Sequence, residues 1–399
     1  MMTMPLWAPQ ALAVQLLLTF FAPAIAIGTR SLFLPDLWCV VWTIGALWHG
    51  RKQLAGITRY LLIVTILFGA VYLHGYFRPS LELELRRTNY FFLSESDLFN
   101  PVREFVIYIR FLTWAVAARI VWAWFSRVTT REKQAFAYLL KILSACLLGE
   151  LALLVLAKIN PEMQSELAKI YGYDPKLFQW VGRGHGTFRS PLEAGTAMAL
   201  GGLILASRAM PRNFLFWDGV VAAIGGIWLT HTATAAVGII AVPFIYILLG
   251  MRSKQRWIAL AVMLFSLAVI LPVLYNSSEV VRLKWIDFTF RFMPWKMYLT
   301  QMAQRVDFLL LGFGFAPYHT DNSYLFIFNR AGLLGFGTFL AFIAVKIGKC
   351  WKTWEWGERA IVIYLLVGAL TLDILVFRST VGLMLAVGFP ALAGRFKFA

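Results

Sequence analysis

Four ionisable residues are the strongest candidates for chemistry in this chain, and each lies between long apolar runs. Asp321 and His319 can each act as a general base toward a hydroxyl group. Arg183 and Arg291 carry guanidinium groups that suit recognition of a diphosphate and its stabilisation as a leaving group. We predict these four as catalytic residues, and the sequence leaves open whether Asp321 or His319 is the base.

A second set of polar residues is predicted to bind substrate beside these four. His185 and Arg189 lie in the glycine-rich stretch 182–195, and Asn322 and Arg330 lie in the stretch 311–335. His231 in a turn and Lys296 in a loop are predicted to be on the same side. Arg330 falls inside a predicted apolar helix, where a charge is costly and indicates function by default. Other interpretations stay open: Arg330 could pair with Asp373 or Glu193, Asp321 could be a helix N-cap, and the arginines could meet lipid headgroups.

The composition determines the class of protein that must position these residues. The 399-residue chain is 60% hydrophobic and 14% charged, which is more apolar surface than one water-surrounded core can hide. Helices satisfy their own backbone in lipid, so we predict an all-α integral membrane protein. The net charge of +17 is scattered between apolar runs, which favours contact with membrane lipids and argues against nucleic acid. No cluster has the spacing of metal ligands, so no metal or other cofactor is expected.

The apolar runs predict about twelve transmembrane helices in one integral membrane domain, 1–399. The predicted spans are 11–28, 31–48, 60–77, 104–125, 135–157, 191–207, 214–230, 233–250, 257–274, 323–345, 360–377 and 380–394. The positive-inside rule then places both termini in the cytoplasm. Three long loops, 78–103, 159–190 and 275–322, fall on the periplasmic face, and the last two are predicted to form the active site. Arg110, Arg119, Lys141 and Glu150 are expected to form ion pairs between the fourth and fifth spans.

Two stretches of the chain resemble the O-antigen ligase and polymerase family of bacterial inner-membrane glycosyltransferases. The first resemblance is carried by Arg183, Gly186, Thr187, Phe188 and Pro191. The second is carried by Gly312, Gly314, Asp321, Asn322, Tyr324, Gly332 and Gly335. Asp321 stands where ligases have His before Asn, and the turn 230–233 lacks the family's Arg. Both departures favour a polymerase or an exopolysaccharide relative.

The resemblance implies a metal-independent transfer of a glycan from undecaprenyl pyrophosphate to an acceptor sugar at the periplasmic face of the inner membrane. The expected partners are the lipid-linked glycan donor, a glycan or lipid A-core acceptor, and polysaccharide-assembly proteins. The acceptor would distinguish a polymerase from a ligase, or from an enzyme that modifies protein. A transporter or flippase of lipid-linked glycans is the alternative, and it would show internal repeats and broken helices.

Overall fold

The computed structural model describes most of the predicted helices. The described residues are 3–27, 30–50, 69–74, 101–126, 128–171, 184–188, 190–250, 302–313, 322–371 and 377–394, with short pieces at 62, 65–66, 255, 257–258, 260–261, 265, 295–296, 299–300 and 374–375. Their regular secondary structure is helical apart from one antiparallel hairpin, in which β1 (Ala24–Ile27) pairs with β2 (Arg30–Phe33).

The described helices are named in chain order. They are α1 (Ala8–Phe21), α2 (Leu34–His49), α3 (Pro101–Phe125), α4 (Thr130–Ile159), α5 (Pro161–Ile170), α6 (Pro191–Arg208), α7 (Phe214–Thr230), α8 (Ala233–Gly250), α9 (Val306–Leu311), α10 (Ser323–Trp351), α11 (Trp356–Thr371), α12 (Arg378–Leu383), a π-helical turn (Met384–Gly388) and α13 (Phe389–Ala393). The predicted spans 60–77 and 257–274 fall largely outside the described residues. Every other predicted span overlaps one of these helices.

Some of these helices have the length and composition of membrane spans. Within the described residues, Phe105–Phe125, Thr130–Ile159 and Ser323–Trp351 are long and apolar enough to cross a membrane. Shorter apolar helices occupy Ala8–Phe21, Phe214–Thr230, Ala233–Leu248 and Arg378–Ala393. A membrane-associated helical protein is therefore supported, whereas the number of about twelve spans and their sidedness stay predictions.

One predicted helix end was wrong, and one predicted loop contains a short helix. The first predicted span continues to residue 28, but α1 ends at Phe21 and Ala22 is extended, with ψ 126°. Pro23 explains this end, because proline disfavours helical backbone in the residue before it. The loop 159–190 contains α5, which starts where the Asn160 side chain accepts hydrogen bonds from the backbone N–H groups of Glu162 and Met163. Pro161 then occupies the first helical position, where its missing N–H costs nothing.

Helix α10 was predicted as a continuous helix, but it is broken at Gly332, where φ is 60° and ψ is −165°. A Cβ atom on Gly332 would lie 2.4 Å from the Leu310 carbonyl group, and one on Gly312 would lie 2.6 Å from the Gly332 nitrogen. The two backbones therefore cross in direct contact. The Phe313 N–H donates to the Asn329 carbonyl oxygen at 2.7 Å and replaces a helical bond that the break removes.

Contacts between helix ends show which ends share a side of the bundle. The Asn322 amide donates to the Leu370 carbonyl oxygen at 2.9 Å, and the Ser379 N–H donates to the Glu193 carboxylate at 3.3 Å. These contacts join the starts of α6, α10 and α12 with the end of α11, and we call this side the outer end. At the opposite end, the Trp354 indole donates to the Leu392 carbonyl oxygen at 3.0 Å.

Candidate functional site

A short, buried segment that precedes α6 enters the outer end of the bundle. This anchor segment, residues 184–188, belongs to the stretch that the sequence predicts as part of the active site. The Gly184 N–H donates to the Leu229 carbonyl oxygen at the end of α7 at 3.0 Å. His185, Thr187 and Phe188 are buried. The segment is therefore packed inside the protein and is more than an ordinary surface loop.

Glu150 of α4 holds the anchor segment in place. Its side chain is 0% exposed, and its Oε1 accepts a hydrogen bond from the Thr187 N–H at 3.1 Å. The Thr187 Oγ1 lies 2.7 Å from Glu150 Oε2. Gly186 has φ 53°, and a Cβ atom there would come within 1.8 Å of Glu150 Oε1. Only glycine therefore allows both the left-handed turn and the approach of the carboxyl group.

The anchor segment also completes the end of α1. The final carbonyl groups of a helix lack partners within the helix. Here the Thr187 hydroxyl is hydrogen-bonded to the Phe20 carbonyl oxygen, and the Tyr171 hydroxyl donates to the Phe21 carbonyl oxygen at 3.1 Å. The Phe20 and Phe188 rings meet edge to face, with centroids 5.5 Å apart. α1, α4 and the anchor segment thus form one packed unit.

The ion pairs predicted between the fourth and fifth spans are replaced by other contacts where the structure describes them. Glu150 contacts Thr187, as described above. Arg110 of α3 lies 3.9 Å from Asp36 of α2, and the same carboxylate lies 3.1 Å from Arg378 of α12. Asp36 was not predicted as a partner for these cations, and its position directly after Pro35 at the start of an apolar run was the available signal. The result is a half-buried cluster of two cations and one carboxylate near the helix ends.

His185, predicted to bind substrate, points into the protein. Its side chain is 0% exposed, and its Nδ1 lies 3.2 Å from the Phe188 carbonyl oxygen. Burial lowers the pKa of His185, although hydrogen bonds to the backbone oppose this shift. The imidazole is therefore neutral at neutral pH and stabilises the turn in its own segment. Its role in substrate binding stays a prediction.

The turn between α7 and α8 places His231 at the outer end. His231 ends α7 in the left-handed conformation, with φ 50°, and its side chain is exposed. On either side of it, the hydroxyls of Thr230 and Thr232 are buried and lie 2.8 Å apart. The Thr232 hydroxyl donates to the Pro191 carbonyl oxygen at 2.9 Å. This bond holds the turn against the start of α6, directly after the predicted arginine stretch.

The N-cap role that the sequence left open for Asp321 belongs to Asn322. The Asn322 side-chain oxygen accepts hydrogen bonds from the backbone N–H groups of Tyr324 and Leu325, both at 3.0 Å. Its amide nitrogen is engaged with α11, as described above. Asn322 therefore fixes the start of α10. Its predicted contact with substrate is untested, because the residues before it lie outside the described part of the chain.

Arg330 lies in the first half of the broken helix α10. Its side chain is half-buried, and its guanidinium carbon lies 5.1 Å from the centre of the Phe326 ring. Glu193, proposed as its alternative partner, accepts the Ser379 N–H. The neighbouring Asn329 is completely buried, and neither atom of its amide has a hydrogen-bond partner in the described part of the chain. The break in α10 therefore concentrates polar groups within an apolar helix.

Of the remaining predicted residues, the structure describes only Lys296. Asp321, His319, Arg183, Arg291 and Arg189 all lie outside the described residues. Lys296 is described and exposed, and its carbonyl oxygen accepts the Thr300 hydroxyl at 2.8 Å. Among the predicted residues, the structure brings His231 and Asn322 to the outer end and buries His185 in the adjacent anchor segment.

Comparison with known proteins adds no assignment, since no family model and no curated protein matches the chain. Within the described residues, no three His, Cys, Asp or Glu side chains are grouped so that they could hold a metal ion. The described part of the chain combines a buried segment at residues 184–188, an exposed imidazole at His231 and polar groups beside the break in α10.

Proposed function

We propose that the protein is a membrane glycosyltransferase that moves a glycan from undecaprenyl pyrophosphate to an acceptor sugar at the periplasmic face of the bacterial inner membrane. The observation that best supports this proposal is the fixed position of the anchor segment, residues 184–188. In the sequence, Arg183 and Arg189 directly flank this segment. A rigid element between two arginines suits the binding of a diphosphate, because guanidinium groups bind oxyanions well and a fixed neighbouring backbone lowers the ordering cost of binding.

In the proposed reaction, an acceptor hydroxyl oxygen attacks the anomeric carbon of the donor. The new glycosidic bond forms as the bond between that carbon and the diphosphate oxygen breaks. Asp321 or His319 accepts the hydroxyl proton, and Arg183 and Arg291 stabilise the negative charge on the departing diphosphate. Diphosphate is a good leaving group, so positioning and charge stabilisation supply the catalysis that this step needs.

The acceptor is proposed to be either a second lipid-linked repeat unit or the core sugar of lipid A. The first acceptor makes the protein a polymerase of O-antigen or exopolysaccharide, and the second makes it an O-antigen ligase. Asp321 directly precedes Asn322, at the place where ligases of the resembled family have His. This departure favours the polymerase.

A flippase of lipid-linked glycans is the second candidate, and the broken helix α10 is the observation that favours it. Discontinuous helices with polar groups at the break form substrate sites in transporters. Here the break at Gly332 lies beside the buried Asn329 amide and the half-buried Arg330. A flippase predicts movement of the glycan lipid across the bilayer without formation of a new glycosidic bond.

The test is turnover by purified protein in nanodiscs supplied with an undecaprenyl-pyrophosphate-linked repeat unit, with and without lipid A core. Ladder products from the repeat unit alone are expected, and Arg183→Ala should abolish them. Of Asp321→Asn and His319→Gln, the variant that removes the base should abolish them too. Arg212→Ala removes an exposed cation from the opposite end of the bundle and should leave turnover unchanged. Product formed only with lipid A core would identify a ligase.

A failure of transfer under every condition would refute the enzyme, provided that the substrate is shown to be a good donor for another transferase. The same protein is then reconstituted in proteoliposomes. Movement of the glycan lipid across those membranes would establish the flippase.

A further inference from the structure

Glu150 is an acid in an environment that disfavours its charged form. Its side chain is 0% exposed on α4, about 13 Å before the end of that helix at 1.5 Å per residue. Within the described residues its hydrogen bonds are both to Thr187, and no cation forms an ion pair with it. A buried carboxylate without a cation is costly, because neither water nor a counter-charge replaces its lost hydration.

The hydrogen bonds around Thr187 indicate that the Glu150 side chain carries a proton. The Thr187 hydroxyl has a single proton, and its oxygen contacts both the Phe20 carbonyl oxygen and Glu150 Oε2. A carbonyl oxygen can only accept, so the hydroxyl proton serves Phe20. The contact of 2.7 Å between Thr187 Oγ1 and Glu150 Oε2 then needs a second proton, which the carboxylic acid supplies. With an ionised Glu150, three oxygens would share one proton.

The ionisable groups on the surrounding elements do not supply a counter-charge. α1 and the π-helical turn contain no ionisable side chain. The other helices packed on α4, and α4 itself near this level, carry Lys141, Lys158, Glu162, Glu166, Lys169, Glu193, Arg208 and Asp218. None of these forms an ion pair with Glu150 in the described structure. Tyr171 interacts electrostatically with Glu150, and its hydroxyl donates to the Phe21 carbonyl oxygen. His185, two residues before Thr187, is hydrogen-bonded to the Phe188 carbonyl oxygen.

We propose that Glu150 is a protonated latch, whose proton fixes the anchor segment to the end of α1 and whose ionisation releases that segment. The acid donates from Oε2 to the Thr187 hydroxyl, the hydroxyl donates to the Phe20 carbonyl oxygen, and Oε1 accepts the Thr187 N–H. Loss of the proton leaves the Thr187 hydroxyl with one proton for two acceptors, so one of its two bonds is lost, and it places a charge in an apolar site. The segment between Arg183 and Arg189 then leaves its buried position. Glu150 is thus a positioning residue that makes the segment sensitive to pH.

Hydrogen–deuterium exchange of the full-length protein in nanodiscs tests the latch without reference to any activity. In the wild type, opening of residues 184–188, corrected for intrinsic exchange, should increase about tenfold per pH unit once Glu150 ionises. In Glu150→Gln, residues 184–188 should stay protected from exchange at alkaline pH, because the amide donates to Thr187 and accepts the Thr187 N–H without a titratable proton. In Glu150→Asp the side chain is one methylene shorter, and residues 184–188 should exchange without protection at every pH. Glu162→Gln, an exposed change of the same chemistry on α5, should behave like the wild type.

Infrared spectroscopy gives a second readout that does not require Glu150→Asp to fold. The wild type at neutral pH should show the carbonyl stretch of a protonated acid that is absent in Glu150→Gln and present in Glu162→Gln. The proposal is overturned if that band is unchanged by Glu150→Gln, or if wild type and Glu150→Gln lose protection at the same pH. Neither result depends on glycan transfer, so the latch and the proposed function fail separately.

Discussion

Replacement of Gly186 by alanine should loosen the anchor segment without touching any predicted catalytic residue. Gly186 has φ 53°, and a residue with a Cβ atom pays roughly 1–2 kcal/mol for left-handed backbone. The new Cβ would also lie 1.8 Å from Glu150 Oε1, so the carboxyl group must move away from Thr187. Loss of its two hydrogen bonds costs about 1 kcal/mol each. The expected loss of stability is therefore roughly 3–4 kcal/mol.

Denaturant-induced unfolding in detergent measures this loss, and Gly337→Ala is the matched control. A Cβ atom on Gly337 would meet nothing within 4 Å, and its position inside α10 favours alanine by up to about 1 kcal/mol. In a Glu150→Ala background, Gly186→Ala should cost only the backbone strain of roughly 1–2 kcal/mol. Equal stability of Gly186→Ala and Gly337→Ala would refute the packing of Glu150 against the segment.

Two further predictions concern stability. Arg208 Nη2 lies 2.7 Å from Glu358 Oε1, and the two side chains are 4% and 2% exposed. Glu358→Ala should lower the free energy of unfolding by about 3–5 kcal/mol, because it leaves the buried Arg208 charge without its carboxylate. The exposed Glu166→Ala should cost well under about 1 kcal/mol, and equal costs would contradict the burial of the pair. Burial lowers the pKa of His185, so the unfolded chain takes up the proton first as pH falls below about 6.5. The free energy of unfolding should therefore fall by up to about 1.4 kcal/mol per pH unit in acid, and the melting temperature should fall with it. His185→Gln should remove that part of the acid sensitivity, and an unchanged acid dependence would show that another group causes it.

The positions of the main helices could be predicted from the sequence, because an apolar run must satisfy its own backbone in lipid. Their ends were less predictable where a single residue decides them. Pro23 ends α1 early, and Asn160 with Pro161 starts α5 inside a predicted loop. The break in α10 at Gly332 could not be predicted from a glycine within an apolar run. It depends on the backbone of residues 310–312, which crosses the helix at that point.

The candidate site shows the same division between local and distant information. The sequence identified the stretch 182–195, because glycines, a histidine and arginines precede an apolar helix. It did not identify Glu150 as the residue that holds this stretch, since the two are separated by more than thirty positions. An ion pair between neighbouring spans was the reasonable expectation for a lone acid in an apolar helix.

The sequence by itself determined the class of the protein and the residues available for chemistry. Hydropathy, the charge distribution and local turn signals are properties of neighbouring residues, so they can be read without a fold. Only the tertiary structure decided which of those residues meet. Three pairings depend on which helix faces which: Glu150 with Thr187, Asp36 with Arg378, and Arg208 with Glu358. In a bundle whose helices all look apolar, many arrangements satisfy the backbone, and the packing of side chains selects one of them.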